Sequence, residues 1–531
     1  MMDIRTVIAG LDLLARLPRF LNNRFTIDEA RAIQDRQLRD RPQQFLRFMQ
    51  KGIYGYPDHP VHQLLQHAGC TYGDLAMLVE RDGVEEALRR LLENGVYLTV
   101  DEFKGRRPAV RGSATIDVGP NRLRNPLAAF HIPGRSGGSR SDGTPLIIDL
   151  AFVWACAVAY ALSLHVRGGD DWLKVNWETP GGGTRFRLLK MNCFGARPVA
   201  WFTQLDPSAS DTNRIFRWGE RAMRWGALLG GVRLPPGQLA SLEDPRPLLR
   251  WLRAALDRGE TPHLETFPSS IVRLARTALE TGIDVRGTKA TLGGEPITQA
   301  RLDLSSEAGI QSYPRYGSME CGPVAYACLN PEAADDTHIL RDLHAVIQVG
   351  NQSEQIGLPS RALLISNLHP AAPFAMVNFS MGDEADLAER DCGCPLQDLG
   401  WNPHLTTVRS YEKLTAGGVT FYDSDLIDVL ERVLPAAFGG HPADYQLVER
   451  EDADGRPQMV LVVHPRLGPL DGARIEEAFL SAIGTSPLSG LMASMWRDSR
   501  FLRVERRPPH ATAASKILHL HVDRNSSSTA P

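Results

Sequence analysis

The 531-residue chain has little cysteine, seven in all and an odd number. That excludes a disulfide-stapled scaffold and suits a reduced, cytoplasmic protein. It has no apolar run approaching the roughly 18 residues of a membrane-spanning helix. Ala151–Leu164 is apolar, but it is short and reads as a buried helix. Asp3, Arg5, Asp12, Arg16 and Arg19 interrupt the first apolar stretch, which fits an amphipathic helix better than a signal peptide. Charge of either sign is not in excess: the net charge is -3 with 23% charged residues. Global charge therefore points neither to nucleic acid nor to an anionic membrane. Internal repeats and long low-complexity linkers are also missing.

What is present is length and apolar content. A 43% hydrophobic composition over 531 residues supplies a large core, and such a length predicts two to four units. Residues 1–110 read as mostly helical. Thr26 is placed as an N-cap before Asp28 and Glu29, and Val84–Leu92 has helical apolar spacing. From 111 to 408, short apolar runs such as Ala362–Ser366 alternate with helical stretches such as Ser269–Glu280, the pattern of an α/β body. From 409 to 524 a small α+β unit is predicted, with a helix at Leu426–Leu434, strands at Tyr445–Glu451 and Met459–His464, and a helix at Asp471–Ile483. Residues 525–531 read as a disordered tail. The Gly-rich segments Gly134–Pro145 and Pro180–Gly183 read as surface loops able to meet a ligand.

Cys392-Gly393-Cys394 places two thiols at a spacing that can hold a metal. Cys328 lies ten positions before His338. Three cysteines and one histidine satisfy a closed tetrahedral Zn²⁺ site; Cys321 is an alternative to Cys328, and three buried thiols beside an unrelated histidine is the plain reading. Cys70, Cys156 and Cys193 read as packing residues.

Four short segments are most telling in their order: Gly293-Gly294-Glu295-Pro296, Tyr316-Gly317-Ser318-Met319-Glu320, Gly382-Asp383, and Lys516 in a run beginning at Pro508. Together, over roughly residues 125–525, they resemble the adenylate-forming enzymes that activate a carboxylate with ATP, and most closely the phenylacetate–CoA ligase-like branch. The resemblance implies a large multi-subdomain α/β body with a small mobile α+β C-terminal lid hinged near Arg409. By it, Ser136, Gly137, Gly138 and Ser139 would cradle the triphosphate, glycines admitting backbone N–H groups to phosphate oxygens. The usual Gly-Lys pair is replaced by Arg140-Ser141, and an ordinary loop stays an alternative. Gly294, Glu295 and Pro296 would form the turn beside adenine, with Tyr316, Gly317 and Ser318 around the ring and Asp383 on the ribose. Glu320 would ligate Mg²⁺, which prefers oxygen. Arg409 would reach the ribose or phosphates, Glu412 would mark the pivot, and Gly417-Gly418 the following loop. Lys516 would neutralise charge as the acyl-adenylate forms.

Two positions depart from the family. Met319 stands where it carries a phosphate-binding hydroxyl, and Ser515 where it carries glycine. The branch also has members with a Cys…His…Cys-x-Cys set, in line with the zinc reading. The resemblance thus implies ATP, Mg²⁺, coenzyme A and structural Zn²⁺ as cofactors. The partners are a small carboxylic acid, aromatic by preference of the branch, and CoA or another acceptor, with no nucleic acid and no membrane; a homodimer is compatible with it. Phe194, Phe202 and Phe267 are candidates for an apolar acid pocket, each equally readable as core. Two rivals stay open. One is the same adenylation with an amine or protein thiol as acceptor; the other is a catalytically degenerate nucleotide-binding relative, suggested by Met319.

Overall fold

The computed structural model describes the chain except residues 1–3, 130–131, 136–143, 180, 206–210, 412–413, 417–418, 422, 452–456, 484–495, 497–501, 513–514 and 524–531. Helices dominate up to Phe103. The helix Ile27–Arg39 is opened by a capping box: Glu29 N donates to Thr26 Oγ1 (3.2 Å) and Thr26 N to Glu29 Oε2 (2.8 Å). Val84–Glu93 buries Val84, Ala87, Leu88, Leu91 and Leu92 on one stripe. The apolar stretch read from Ala151 is the helix Leu150–His165, capped by Asp149 and buried on nearly all sides.

One twelve-stranded sheet forms the body. Its parallel half runs, in spatial order, Gly237–Leu239, Ala200–Thr203, Leu173–Glu178, Pro262–Thr266, Lys289–Gly293 and Gln311–Ser318. It continues as an antiparallel half: Gly322–Ala327, Thr337–Ile339, Pro403–Ser410, Phe379–Glu389, Ala362–Asn367 and His344–Gln348. Parallel strands covered on both faces read as unbroken apolar runs; that also describes Ala362–Asn367, whose six residues are all buried. The change from parallel to antiparallel falls at Gln311–Ser318, the strand that carries Tyr316.

Among the described residues there are three large hydrophobic cores and a small fourth cluster of Val448, Val460 and Val462. The first joins the N-terminal helices to the antiparallel half, from Leu13 to Leu405, so the helical region packs into the body. The second lies under the parallel half. The third belongs to the C-terminal unit, whose sheet has the order Leu502–Arg506, Pro457–Val463, Tyr445–Glu451 and Leu520–Asp523. The helix read at Leu426–Leu434 begins at Asp423, passes through a π-helical stretch at Val429–Val433 and ends at Phe438. Arg409 is still within the long sheet, paired opposite Glu384. The body therefore extends slightly past the position where the chain's character was expected to change.

Body and C-terminal unit meet through buried charge. Arg301, 1% exposed, donates from Nε to Glu431 Oε1 (2.6 Å) and from Nη1 to Glu295 Oε2 (3.1 Å). His519 Nε2 lies 2.6 Å from Glu431 Oε1 and 3.0 Å from Arg301 Nη2, and the Thr298 hydroxyl donates to Glu431. Ile517 joins the second core, which fixes the chain beside Lys516 onto the body.

Candidate active site

Glycines shape the cleft where the strand ends converge. Gly294 has a φ of 85°, a region that favours glycine. A Cβ there would lie 3.1 Å from Lys516 Nζ and 3.3 Å from the Phe267 ring. Lys516 Nζ donates to the carbonyl of Gly294 (2.7 Å), 222 residues away in sequence. Around this contact lies a cleft of about 280 Å³. It is lined by Gly294, Glu295 and Pro296, by Arg315 through Glu320, and by Asp383, Arg409 and Lys516. The four ordered segments of the sequence are thus brought together. A larger groove of about 710 Å³ beside Glu85, Arg341 and His344 has none of these residues in its lining.

Tyr316 donates its hydroxyl to Asp383 Oδ2 (3.0 Å), and burial raises its pKa well above the ordinary value. Glu320 is 3% exposed, and its carboxylate has no protein partner among the described residues. A hard cation favours such an oxygen donor. Arg409 Nη1 donates to Asp335 (2.9 Å) and to the carbonyl of Val408 (2.6 Å), so its guanidinium is held at the rim. Ser318 Oγ accepts from the backbone N–H of Glu320 (3.2 Å) and Cys321 (3.4 Å). The same oxygen lies 3.2 Å from Cys321 Sγ, so the hydroxyl is engaged within its own turn.

Lys516 keeps some surface toward the cleft while protein surrounds it; burial lowers its pKa, opposed by the carboxylates of Glu295 and Glu178. Ser515 has a φ of 59°, a conformation that favours glycine; the turn closes through Thr512 N to the Lys516 carbonyl (2.8 Å). An L residue held so stores on the order of 1–3 kcal/mol.

Several expectations need correction. The Glu295 side chain is fully buried and accepts from Ser269 N and Oγ (2.8 Å each) and from Arg301. Glu295 therefore faces the cleft with backbone only, and its carboxylate holds the turn. Gly182 and Gly183 open the helix Gly182–Asn192 instead of extending a loop. Phe194 and Phe202 lie in the cores, against Phe25 and Trp251 respectively, which leaves only Phe267 of the three beside the cleft. Ser136, Gly137, Gly138 and Ser139, with Glu412, Gly417 and Gly418, lie outside the described residues. The flanks of the first loop form a hairpin, Ile132–Arg135 against Pro145–Ile148, and Ile132–Arg135 packs on the helix Gly182–Asn192.

Met319 does face the cleft. Its sulfur would lie 3.7 Å from a Cβ on Gly183. A thioether cannot donate to phosphate. Met319→Thr should therefore tighten ATP binding by about 1.5–3 kcal/mol, the worth of one well-placed charge-assisted hydrogen bond. Nucleotide titration by calorimetry checks this; unchanged affinity would remove Met319 from the phosphate side.

The thiol cluster also assembles. Cys394 Sγ lies 4.0 Å from Cys328 Sγ and 3.1 Å from His338 Nε2; Cys392 Sγ lies 3.6 Å from the same nitrogen. Tetrahedral Zn²⁺ bonds imply separations of about 3.8 Å for S···S and about 3.5 Å for S···N. His338 Nδ1 donates to the carbonyl of Trp401 (2.5 Å), which fixes the tautomer with Nε2 bare. Burial lowers the His338 pKa to about 4, so it is a neutral donor at pH 7. His404 was not anticipated. It pairs across the strands opposite His338, and its donor atom lies in the same group as Cys328, His338 and Cys392. Asp336 Oδ1 lies 2.7 Å from its Nδ1. No sequence spacing connects His404 to the other donors; strand register does.

No family model and no curated protein matches the chain. Solved structures do. A 2-hydroxyisobutyryl-CoA ligase in a postadenylation state with 2-HIB-AMP is 14% identical, with a TM-score of 0.55 over 91% of this chain and 89% of that one. The same ligase with R3-HIB-AMP gives 0.53 at the same identity and coverage. The chain has the fold of the adenylate-forming acyl-CoA ligases. No helix among the described residues is long and apolar enough to cross a membrane.

Proposed function

We propose that the protein is an AMP-forming acid ligase. A carboxylate oxygen attacks the α-phosphorus of ATP, the bond to pyrophosphate breaks, and an acyl-adenylate forms. A thiol, that of coenzyme A, then displaces AMP. The observation that carries this reading is Lys516, delivered from the C-terminal unit to the Gly294 carbonyl in a cleft that also holds Tyr316, Glu320, Asp383 and Arg409. Tyr316 and Asp383, already hydrogen-bonded, would orient adenine and ribose. Gly294 and Pro296 would supply backbone beside the ring, with Gly317 keeping the strand close to it. Glu320 would hold Mg²⁺, which neutralises phosphate charge when bound. Ser136, Gly137, Gly138 and Ser139 would cradle the triphosphate. The branch reading stays the phenylacetate–CoA ligase-like one.

A screen of carboxylic acids for pyrophosphate release tests the proposal. Release with one class of acid, followed by an acyl-CoA mass, is the expected result. An amide or acyl-protein product would change the acceptor. ATP binding without acid-dependent release would favour a degenerate relative.

The thiol cluster, we propose further, holds one structural Zn²⁺ through Cys328, His338, Cys392 and Cys394, with His404 beside them as a competing fourth donor. Four protein ligands leave no open position for a reacting water. Elemental analysis should give about one Zn per chain, and chelation should lower thermal stability more than the rate per folded molecule. Chelator-free protein without zinc would refute it.

A further inference from the structure

Arg315 lines the cleft, and the adenylation chemistry leaves it unused. It precedes Tyr316 on the strand Gln311–Ser318, so its side chain leaves the opposite face from the one that carries Tyr316 to Asp383. Gly293, its partner on the neighbouring strand, makes room for it. A Cβ on Gly293 would lie 3.1 Å from Arg315 Nε and 3.2 Å from Nη2.

Its surroundings are polar and unbalanced. Glu178 accepts from Arg187 Nη1 (2.5 Å), and Glu265 accepts from Lys190 (2.8 Å) and pairs with Arg187 Nε (3.2 Å). Each carboxylate is paired with a cation, although Glu178 Oε1 and Glu265 Oε2 accept no hydrogen bond among the described residues. Arg315 feels both, yet no carboxylate lies within ion-pair distance of it and no hydrogen bond to its guanidinium occurs among the described residues. Its Nε is buried without a partner. Two carboxylates thus stand among three cations, and the surplus cation is the one that borders the cleft. Arg315 as a whole is half-buried, but a buried N–H such as its Nε costs free energy until something accepts from it. The planar fork favours an anion with two oxygens.

We propose that the acid substrate carries a second anionic group, a carboxylate or comparably acidic function, and that Arg315 receives it; this rests on the adenylation reading above. The reacting carboxylate meets Lys516, and the distal anion meets Arg315. Arg315 is then the specificity-determining residue, and the aromatic monoacids implied by the resemblance fit less well. A site built around a buried charge rejects the analogue that lacks the matching group.

Pyrophosphate release measured with matched acids tests this: hexanoate against adipate, and phenylacetate against 4-carboxyphenylacetate. The dianion of a pair should be preferred by at least about 100-fold in kcat/KM. Arg315→Met should bring that ratio below about tenfold by losing the dianion, while Arg315→Lys keeps part of the preference. Thermal unfolding of both variants separates misfolding from lost recognition. Monoacids used as well as dianions, or Arg315→Met slowing both alike, would overturn the assignment while adenylation stands. A raised KM for ATP with unchanged acid preference would move Arg315 to the phosphates and overturn it too. No release with any acid, by wild-type protein that binds ATP, would overturn the adenylation reading and this one with it.

Discussion

Lys516→Ala should lose on the order of 10²-fold or more in adenylate formation, the scale of removing one preorganised donor from a developing charge. The ammonium is already in position, 2.7 Å from the Gly294 carbonyl and 5.1 Å from the Phe267 ring centre. On the adenylation proposal, it would meet charge growing at the α-phosphate from that position. Burial lowers its pKa, and nearby carboxylates, Glu295 first, work against that shift. Thioester formation from a supplied acyl-adenylate should change much less if the C-terminal unit is the mobile lid that the resemblance implies and has turned by that step. Lys516→Arg should not restore the rate, since a fork is not a point charge. Adenylation at the wild-type rate would remove Lys516 from the mechanism, and equal loss in both steps would point to misfolding.

The legible parts of this chain are those set by local periodicity and by short backbone motifs. Tyr445–Glu451 forms a strand with the bounds read from the sequence, and Ser269–Glu280 lies within the helix Pro268–Thr281. Gly294, Tyr316, Asp383 and Lys516 converge because their motifs specify turns and strand ends that long-range packing then joins. What stayed hidden depends on register or charge balance. His404 meets His338 only across a strand pair. The burial of Glu295 depends on Arg301, six residues on, and on Ser269 from another helix. Arg315 sits beside a recognisable tyrosine, but nothing local reveals that two carboxylates nearby are already taken. The extension of the body past Arg409 reflects pairing with Phe379–Glu389, a partner invisible to any window of sequence.

Arg301→Ala should destabilise the C-terminal unit on the body by about 3–5 kcal/mol, the cost of leaving buried carboxylates without their cation. Glu431 comes from that unit, and Glu295 holds the turn beside Lys516, so the loss should also weaken adenylation through misplacement. Limited proteolysis after Tyr411 and urea unfolding should both report it. Glu431 gives the pH dependence. Its folded pKa is depressed from 4.5 to about 2: burial raises it, but Arg301, His519 and Thr298 outweigh that. A depressed carboxylate contributes stability above its unfolded pKa and loses it as pH falls through the folded one. The gap in unfolding midpoint between wild type and Glu431→Gln should therefore be full at pH 7 and shrink from about pH 4.5 toward 2. A gap of the same size at pH 7 and pH 3 would mean that the junction is held by Ile517 and its apolar neighbours, with the ion network contributing nothing net. Arg301→Met should separate these two cases further. It keeps much of the packing volume and removes the charge, so near-wild-type stability would assign the junction to packing, and a loss close to that of Arg301→Ala would assign it to the buried pair.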